Sequence, residues 1–351
     1  MHTLQEREFG DGSQHGPLFV VGMWRSGTSL FYALLNQHPQ ISLLYEGDLA
    51  LLWPLFLGGK AKSDWAERWE FWNSALTRHQ IDVTTLPRSP SSQAEAFETV
   101  CRQYAGGAIG GCKSPNYFDM LPSLAKQFPN AKFIVIWRNP VDICGSVARA
   151  SKVDSFFAKR GMVLRALRGY HEFKLGVDEL RTKGIPVHEV QYETLVNDPP
   201  DVMAGVCRFL NLNFDSRMVS LQDADRSAIY DAAQHEMVKS ERIASTKRQS
   251  ESLPVDVRGK IMRYIAYWRR QYVDRWPAFP ESVEPTSSRW FALERAWDRF
   301  CYRILRTADW AIVFIYCFVP LWLLRKYRTA RGRGEAASVR KEILVAAPVK
   351  E

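Results

Sequence analysis

Cysteine is sparse and scattered in this 351-residue sequence: the six residues at 101, 112, 144, 207, 301 and 317 form no Cys-x-x-Cys pair and no Cys/His cluster of metal spacing. That excludes a disulfide framework or a zinc ribbon, and we expect reduced structural thiols and no metal. No arginine-rich tract interleaved with aromatics appears in the body, and no helix-turn-helix or zinc-finger spacing, so nucleic acid is not expected as a partner. Residues 1–16 are polar and lack the apolar core of a signal peptide, so a cytoplasmic location is expected. Acidic residues are in the minority, 38 against 47 Lys and Arg, for a net charge of +9. With nucleic acid set aside, that excess suits an anionic membrane face or an anionic co-substrate. The length allows one large α/β domain with appendages, or two small ones.

What is present begins with Gly22-Met23-Trp24-Arg25-Ser26-Gly27-Thr28-Ser29. It follows the strand-like run Leu18 to Val21 and opens a helical pattern through Leu30, Ala33, Leu34 and Gln37. Its glycine spacing is that of the phosphate loop G-x-x-x-x-G-K-[ST], in which backbone N–H groups cradle phosphate oxygens and the lysine reaches the outer phosphates. Here Thr28 stands at the lysine position and Arg25 is the only cation in the loop, which argues against ATP or GTP. Amides and hydroxyls that collect oxyanions beside an arginine suit a nucleotide whose transferred group needs no metal. A glycine turn kept only for packing is the alternative, and the apolar context on both sides favours the anion loop.

A second buried strand, Ala131 to Trp137, runs directly into Arg138-Asn139-Pro140, with Ser146 in the helix that follows. An arginine at the carboxyl end of such a strand points into the crevice where open α/β sheets bind ligands. With Trp24 to Ser29, Gln37-His38-Pro39, Cys112-Lys113-Ser114-Pro115, the 128–146 segment and Tyr192-Glu193 before Asp198-Pro199, the chain resembles the sulfotransferase family. Members of that family use 3′-phosphoadenosine-5′-phosphosulfate (PAPS) as donor. The resemblance covers about residues 17 to 275, and its loop arginine is closest to the tyrosylprotein and carbohydrate branches.

The resemblance implies roles residue by residue. Arg25, Ser26, Gly27, Thr28 and Ser29 would hold the 5′-phosphosulfate, and Arg138 and Ser146 the 3′-phosphate. Glu46 falls where the tyrosylprotein branch carries its catalytic base, with an ion pair to Arg25 or to a lysine as the alternative and Asp48 as the local competitor. Lys113, after the glycine-rich stretch Gly106 to Gly111, would add positive charge at the transferring group; a solvated lysine is the alternative. Arg25 does not deprotonate, so its role is electrostatic. Lys247 and Arg248, in a polar stretch from Lys239 to Ser250, resemble in composition the basic loop that closes over the donor. His38 is expected to cap the helix before it, and His171 to be structural. The acceptor is a hydroxyl of a glycan, a lipid or another molecule. The competing readings are a nucleotide kinase-like phosphoryl transferase and a non-catalytic, membrane-attached nucleotide-binding protein.

The expected fold is a P-loop-like three-layer α/β/α domain over residues 17–280 with a central parallel sheet. A tryptophan-rich helical insertion at 50–105 either covers the crevice or packs as an ordinary layer. Residues 1–16 and 329–351 read as flexible tails. Within 281–328, Trp310 to Leu324 is an uncharged run of fifteen residues between arginine clusters. At roughly 22 Å it is shorter than the ~30 Å hydrocarbon core, so a peripheral or monotopic anchor at the membrane is expected. Burial against the domain or in a homodimer is the alternative. Because the resemblance ends near 275, the chain beyond Arg306 is expected to be dispensable for donor binding.

Overall fold

The computed structural model describes residues 16–159, 161–229, 253–271 and 289–330, together with Val238 and Ile243. Lys247, Arg248 and the tails 1–15 and 331–351 lie outside the described residues. In chain order the strands are β1 (Leu18–Gly22), β2 (Ile41–Tyr45), β3 (Ile109–Lys113), β4 (Lys132–Trp137) and β5 (Val187–Gln191). The helices are α1 (Thr28–Leu35), α2 (Trp65–Asn73), α3 (Ala75–Arg78), α4 (Gln93–Ala105), α5 (Leu121–Gln127), α6 (Pro140–Ala150) and α7 (Met162–Thr182). They continue as α8 (Tyr192–Asn197), α9 (Pro199–Leu210), α10 (Val255–Gln271), α11 (Arg289–Phe318) and α12 (Leu321–Ala330).

The strands form one parallel sheet in the order β2-β3-β1-β4-β5. Side chains alternate across a strand, and here each face meets its own apolar layer. Phe19, Val21, Phe133 and Val135 join the core built with α4, α5 and α7, whereas Leu18, Val20, Ile134 and Ile136 pack with α1 and α9. This is the expected three-layer α/β/α arrangement with a central parallel sheet. Helix starts follow the side chains: Asn139 caps α6 by accepting from Val141 N–H, and Asp198 caps α9 by accepting from Asp201 N–H, each ahead of a proline in the first turn.

Two features depart from the sequence reading. The stretch read as a glycine-rich turn from Gly106 to Gly111 is a turn only to Ala108; Ile109-Gly110-Gly111-Cys112-Lys113 is β3. A Cβ at Gly111 would lie 1.9 Å from the carbonyl oxygen of Leu18. Glycine there lets β3 come against β1, although glycine is a poor strand former. His38 does not cap α1 through its ring. Its Nε2 bonds the carbonyl of Asn213 at 2.9 Å, and its Nδ1 accepts from Gln40 N–H at 3.1 Å.

The insertion is a packed layer. Trp65, Trp69 and Trp72 are buried in the same core as Phe19, and of the four tryptophans in this region Trp53 is the exposed one. The carboxyl-terminal run also differs from an anchor set apart from the domain. Trp310 to Leu324 belongs partly to α11, which begins at Arg289, and partly to α12, with a bend of 107° between them. Val313, Tyr316 and Cys317 enter the main core, and Tyr316 meets Trp72 at 5.0 Å. Arg68 donates through Nη1 to the carbonyls of Tyr316 and Val319, at 3.3 and 2.8 Å. The segment beyond Arg306 is therefore packed into the domain, although the resemblance ends near residue 275.

Candidate active site

β1 is the switch point of the sheet: the chain runs from it to β2 and β3 on one side, then crosses to β4 and β5 on the other. Ligands of open α/β sheets bind at the carboxyl end of such a point. The residues singled out in the sequence come there from five different strand ends. The 23–29 loop follows β1, Glu46 follows β2, Lys113 ends β3, Arg138 follows β4 and Tyr192 follows β5.

On one side of the loop, Lys113 is fully buried, and its Nζ donates to Glu46 Oε1 at 2.9 Å and to Ser29 Oγ at 3.1 Å. The same ammonium sits 3.8 Å from the ring centroid of Tyr45, whose hydroxyl shares a 2.8 Å bond with Ser29 Oγ. Burial pushes the ammonium below the usual lysine range, while Glu46 pulls it upward. Lys113 is thus a buried, paired cation, and the solvated alternative falls. The Glu46 side chain, paired with the lysine, keeps 14% of its surface.

The insertion helices hold the turn that presents this carboxylate. Glu46 has φ 48 and Asp48 φ 57, left-handed conformations that are uncommon outside glycine. Asn73 Nδ2 donates to the carbonyls of Glu46 and Gly47 at 2.7 and 2.6 Å, Trp69 Nε1 donates to Gly47, and Arg78 Nη2 donates to Tyr45 at 3.0 Å. His79 Nε2 accepts from Tyr45 N–H at 3.0 Å, and burial pushes this imidazole down to about 4. Asp48 is committed elsewhere: fully buried, it accepts from Ser114 Oγ and from Asn116 Nδ2, and Asn116 Oδ1 accepts from Trp24 Nε1 at 3.1 Å. Asp48 therefore ties the Glu46 turn to the loop after β1.

On the other side, Arg25 Nε donates to Ser146 Oγ at 3.1 Å, and Arg138 Nη1 donates to the carbonyl of Arg25 at 2.8 Å. Burial, with Arg138 second, pulls the Arg25 guanidinium down to about 10, so two arginines are held close together in an enclosed place. The Arg138 guanidinium lies 4.3 Å from the Tyr192 ring centroid. That ring packs on Gly27, where φ is +93 and a Cβ would approach Tyr192 Cδ2 to 2.3 Å. Ser26 Oγ is buried without a hydrogen-bond partner, and the amino end of α1 has no side-chain cap. Clustered guanidinium groups, an unpartnered buried hydroxyl and an uncapped helix start fit an anion with more than one phosphate-like group. His171 stands apart in α7, stacked on Trp268 at 4.8 Å and depressed to about 4 by burial. Among the described residues no three His, Cys, Asp or Glu side chains group as a metal site requires.

Sequence reasoning missed Tyr45, Asn73, Asn116 and His79, which lie on a short strand, an insertion or a loop without a motif. Taken together, the switch-point crevice, the loop after β1 and the charged side chains at the other strand ends define a phosphate-loop α/β protein without the nucleotide-kinase lysine. A family model described as "Sulfotransferase family" matches residues 17–216, and the chain belongs to that family. A putative protein-tyrosine sulfotransferase of Caenorhabditis briggsae is 24% identical over 206 residues, 58% of this chain and 68% of its own. Protein-tyrosine sulfotransferase 1 of Danio rerio is 25% identical over 259 residues, 68% of this chain and 67% of its own. In fold, the chain is similar to the sulfotransferase domain from the curacin biosynthetic pathway, with TM-score 0.51, 18% identity and coverage of 75% of this chain and 99% of that one. A sulfotransferase domain from the Synechococcus PCC 7002 olefin synthase gives TM-score 0.50 at 18% identity, covering 77% and 100%.

Proposed function

We propose that the chain transfers the sulfuryl group of PAPS to an acceptor hydroxyl, with Glu46 as general base. The observation that carries this reading is Lys113, buried between Glu46 and Ser29 of the phosphate loop. Glu46 takes the acceptor's proton as the acceptor oxygen forms its bond to sulfur. The bond from sulfur to the bridging oxygen breaks, and its electron pair leaves with 3′-phosphoadenosine-5′-phosphate. A neutral Glu46 holds Lys113 less strongly. The proton transfer that activates the acceptor therefore also releases cationic charge for the transferring oxygens, where preorganised charge contributes most. The loop amides and Ser26 Oγ bind the 5′-phosphate, Arg138 and Ser146 bind the 3′-phosphate, and Arg25, tethered to Ser146, links the two anion positions. The relatives named as protein-tyrosine sulfotransferases support a hydroxyl-bearing acceptor, phenolic side chains included.

The test of the donor is calorimetric. 3′-Phosphoadenosine-5′-phosphate should bind at least about tenfold more tightly than ADP, since one charge-assisted contact is worth on the order of 1.5–3 kcal/mol. Arg138→Ala should erase that preference. Equal affinity of the wild-type chain for the two nucleotides overturns the assignment.

A further inference from the structure

Helix α11 has two unlike faces. The inner one is tied to the domain through Arg165 and Asp309, through Arg306 and Asp119, and through the Arg68 bonds to the carbonyls of Tyr316 and Val319. The outer one carries Trp290, Trp297, Phe300, Ile304 and Ile315, and beyond the 107° bend Trp322 is exposed on α12. Trp290 is 80% exposed, and Trp297 and Trp322 are each 64% exposed. A soluble monomer seldom leaves a contiguous apolar stripe of this length in water.

We propose that this outer face, from Trp290 to Trp322, lies in the headgroup layer of an anionic bilayer, with the domain held on its polar side. Composition favours lipid over a second copy. Leu293, Ile304 and Ile315 share the face with Trp290, Trp297 and Phe300, and it is the exposed tryptophans, with Trp322 on α12, that suit a membrane interface. Arg299, Arg303 and Lys326 are exposed on the same two helices, which gives charge complementarity to acidic headgroups. Spanning is opposed by the inner face, where Arg306 and Asp309 would have to leave their partners and enter hydrocarbon. Among the described residues no single helix is long and apolar enough to cross, and α11 with α12 passes only as a bent pair. The docking surface is thus longer than the Trp310 to Leu324 run and one-sided.

The test uses the full chain in vesicle flotation, with phosphatidylcholine alone or with phosphatidylserine added, and follows tryptophan quenching by brominated lipid. Binding should require phosphatidylserine and quench tryptophan emission. The Trp290→Ser, Trp297→Ser, Trp322→Ser variant should lower partitioning at least about tenfold with an unchanged melting temperature, since these side chains are exposed. Arg299→Gln, Arg303→Gln, Lys326→Gln should weaken binding by a similar factor. A chain that ignores both vesicle types overturns the proposal. So does equal binding to both, or a dimer in sedimentation that the tryptophan variant converts to monomer.

Discussion

Replacing Glu46 by Gln removes a proton acceptor while keeping an oxygen that can accept the 2.9 Å bond from Lys113 Nζ. Two consequences of different size follow. General-base help is typically worth about 10²–10⁴-fold, so turnover should fall within that range. Lys113, fully buried and already below the usual lysine range, also loses its anionic partner. Breaking a fully buried pair costs about 3–5 kcal/mol. The Glu46 side chain keeps 14% exposure and the amide oxygen still bonds the ammonium, so the loss of stability should fall well below that. The assay is transfer of radiolabelled sulfuryl from PAPS to a tyrosine peptide, or to whichever hydroxyl a panel identifies, alongside calorimetry with 3′-phosphoadenosine-5′-phosphate and a thermal melt. Expected are donor affinity within about threefold of wild type, a modestly lower melting temperature, and turnover reduced at least about a hundredfold. Turnover near wild type would refute the reasoning, because the base would then lie elsewhere. A parallel collapse of donor affinity would refute it as well, by making Glu46 a support of the loop.

Stability should also depend on pH through His79, whose neutral ring accepts from Tyr45 N–H. Its folded value of about 4 lies below the ordinary 6.5, so the unfolded chain binds the extra proton first; the stabilisation is complete above 6.5 and is lost as pH falls toward 4, by up to about 3 kcal/mol. Urea midpoints of the wild type and His79→Gln should converge between pH 7 and 4.5, and a gap that does not change with pH would count against this. Truncation after Arg306 should destabilise the domain rather than free it. It removes Val313, Tyr316 and Cys317 from the core and the acceptors of Arg68, at about 1.5–3 kcal/mol for each large buried side chain. A truncated chain that melts like the full one would contradict the packing of α11.

The parts of the fold legible in the sequence are those whose local chemistry is redundant. β1 is an apolar run and β4 is one from Phe133 onward, and α6 and α9 begin with a capping side chain and a proline, so pattern and caps agree. β3 was hidden because its two glycines answer to neighbours, Gly110 to the Cys101 carbonyl and Gly111 to the Leu18 carbonyl, and not to strand propensity. The site divides in the same way. Arg25, Lys113, Glu46, Arg138 and Ser146 stand in recognisable segments. Their partnerships join positions 121, 84 and 67 residues apart, and only the sheet order supplies those. Trp69, Asn73, Arg78 and His79, which hold the strained Glu46 turn, carry no motif because they bond backbone carbonyls and an amide that any sequence provides.

The carboxyl-terminal helices show a different limit. The run from Trp310 to Leu324 is apolar on average, and an average along the chain cannot separate the two sides of a helix. Tyr316 and Cys317 turn inward to the core while Ile315 and Phe318 turn outward, so adjacent residues of one run have opposite environments. Extending the helix back to Arg289 separates the sides further. Phe291 and Tyr302 face the protein, and Trp290, Trp297 and Phe300 face away from it. Neither an anchor pulled off the domain nor a helix wholly buried in it describes a helix with one side in the core and the other exposed. The pairing of Arg165 with Asp309 on its inner side keeps it with the domain whichever surface covers the outer side.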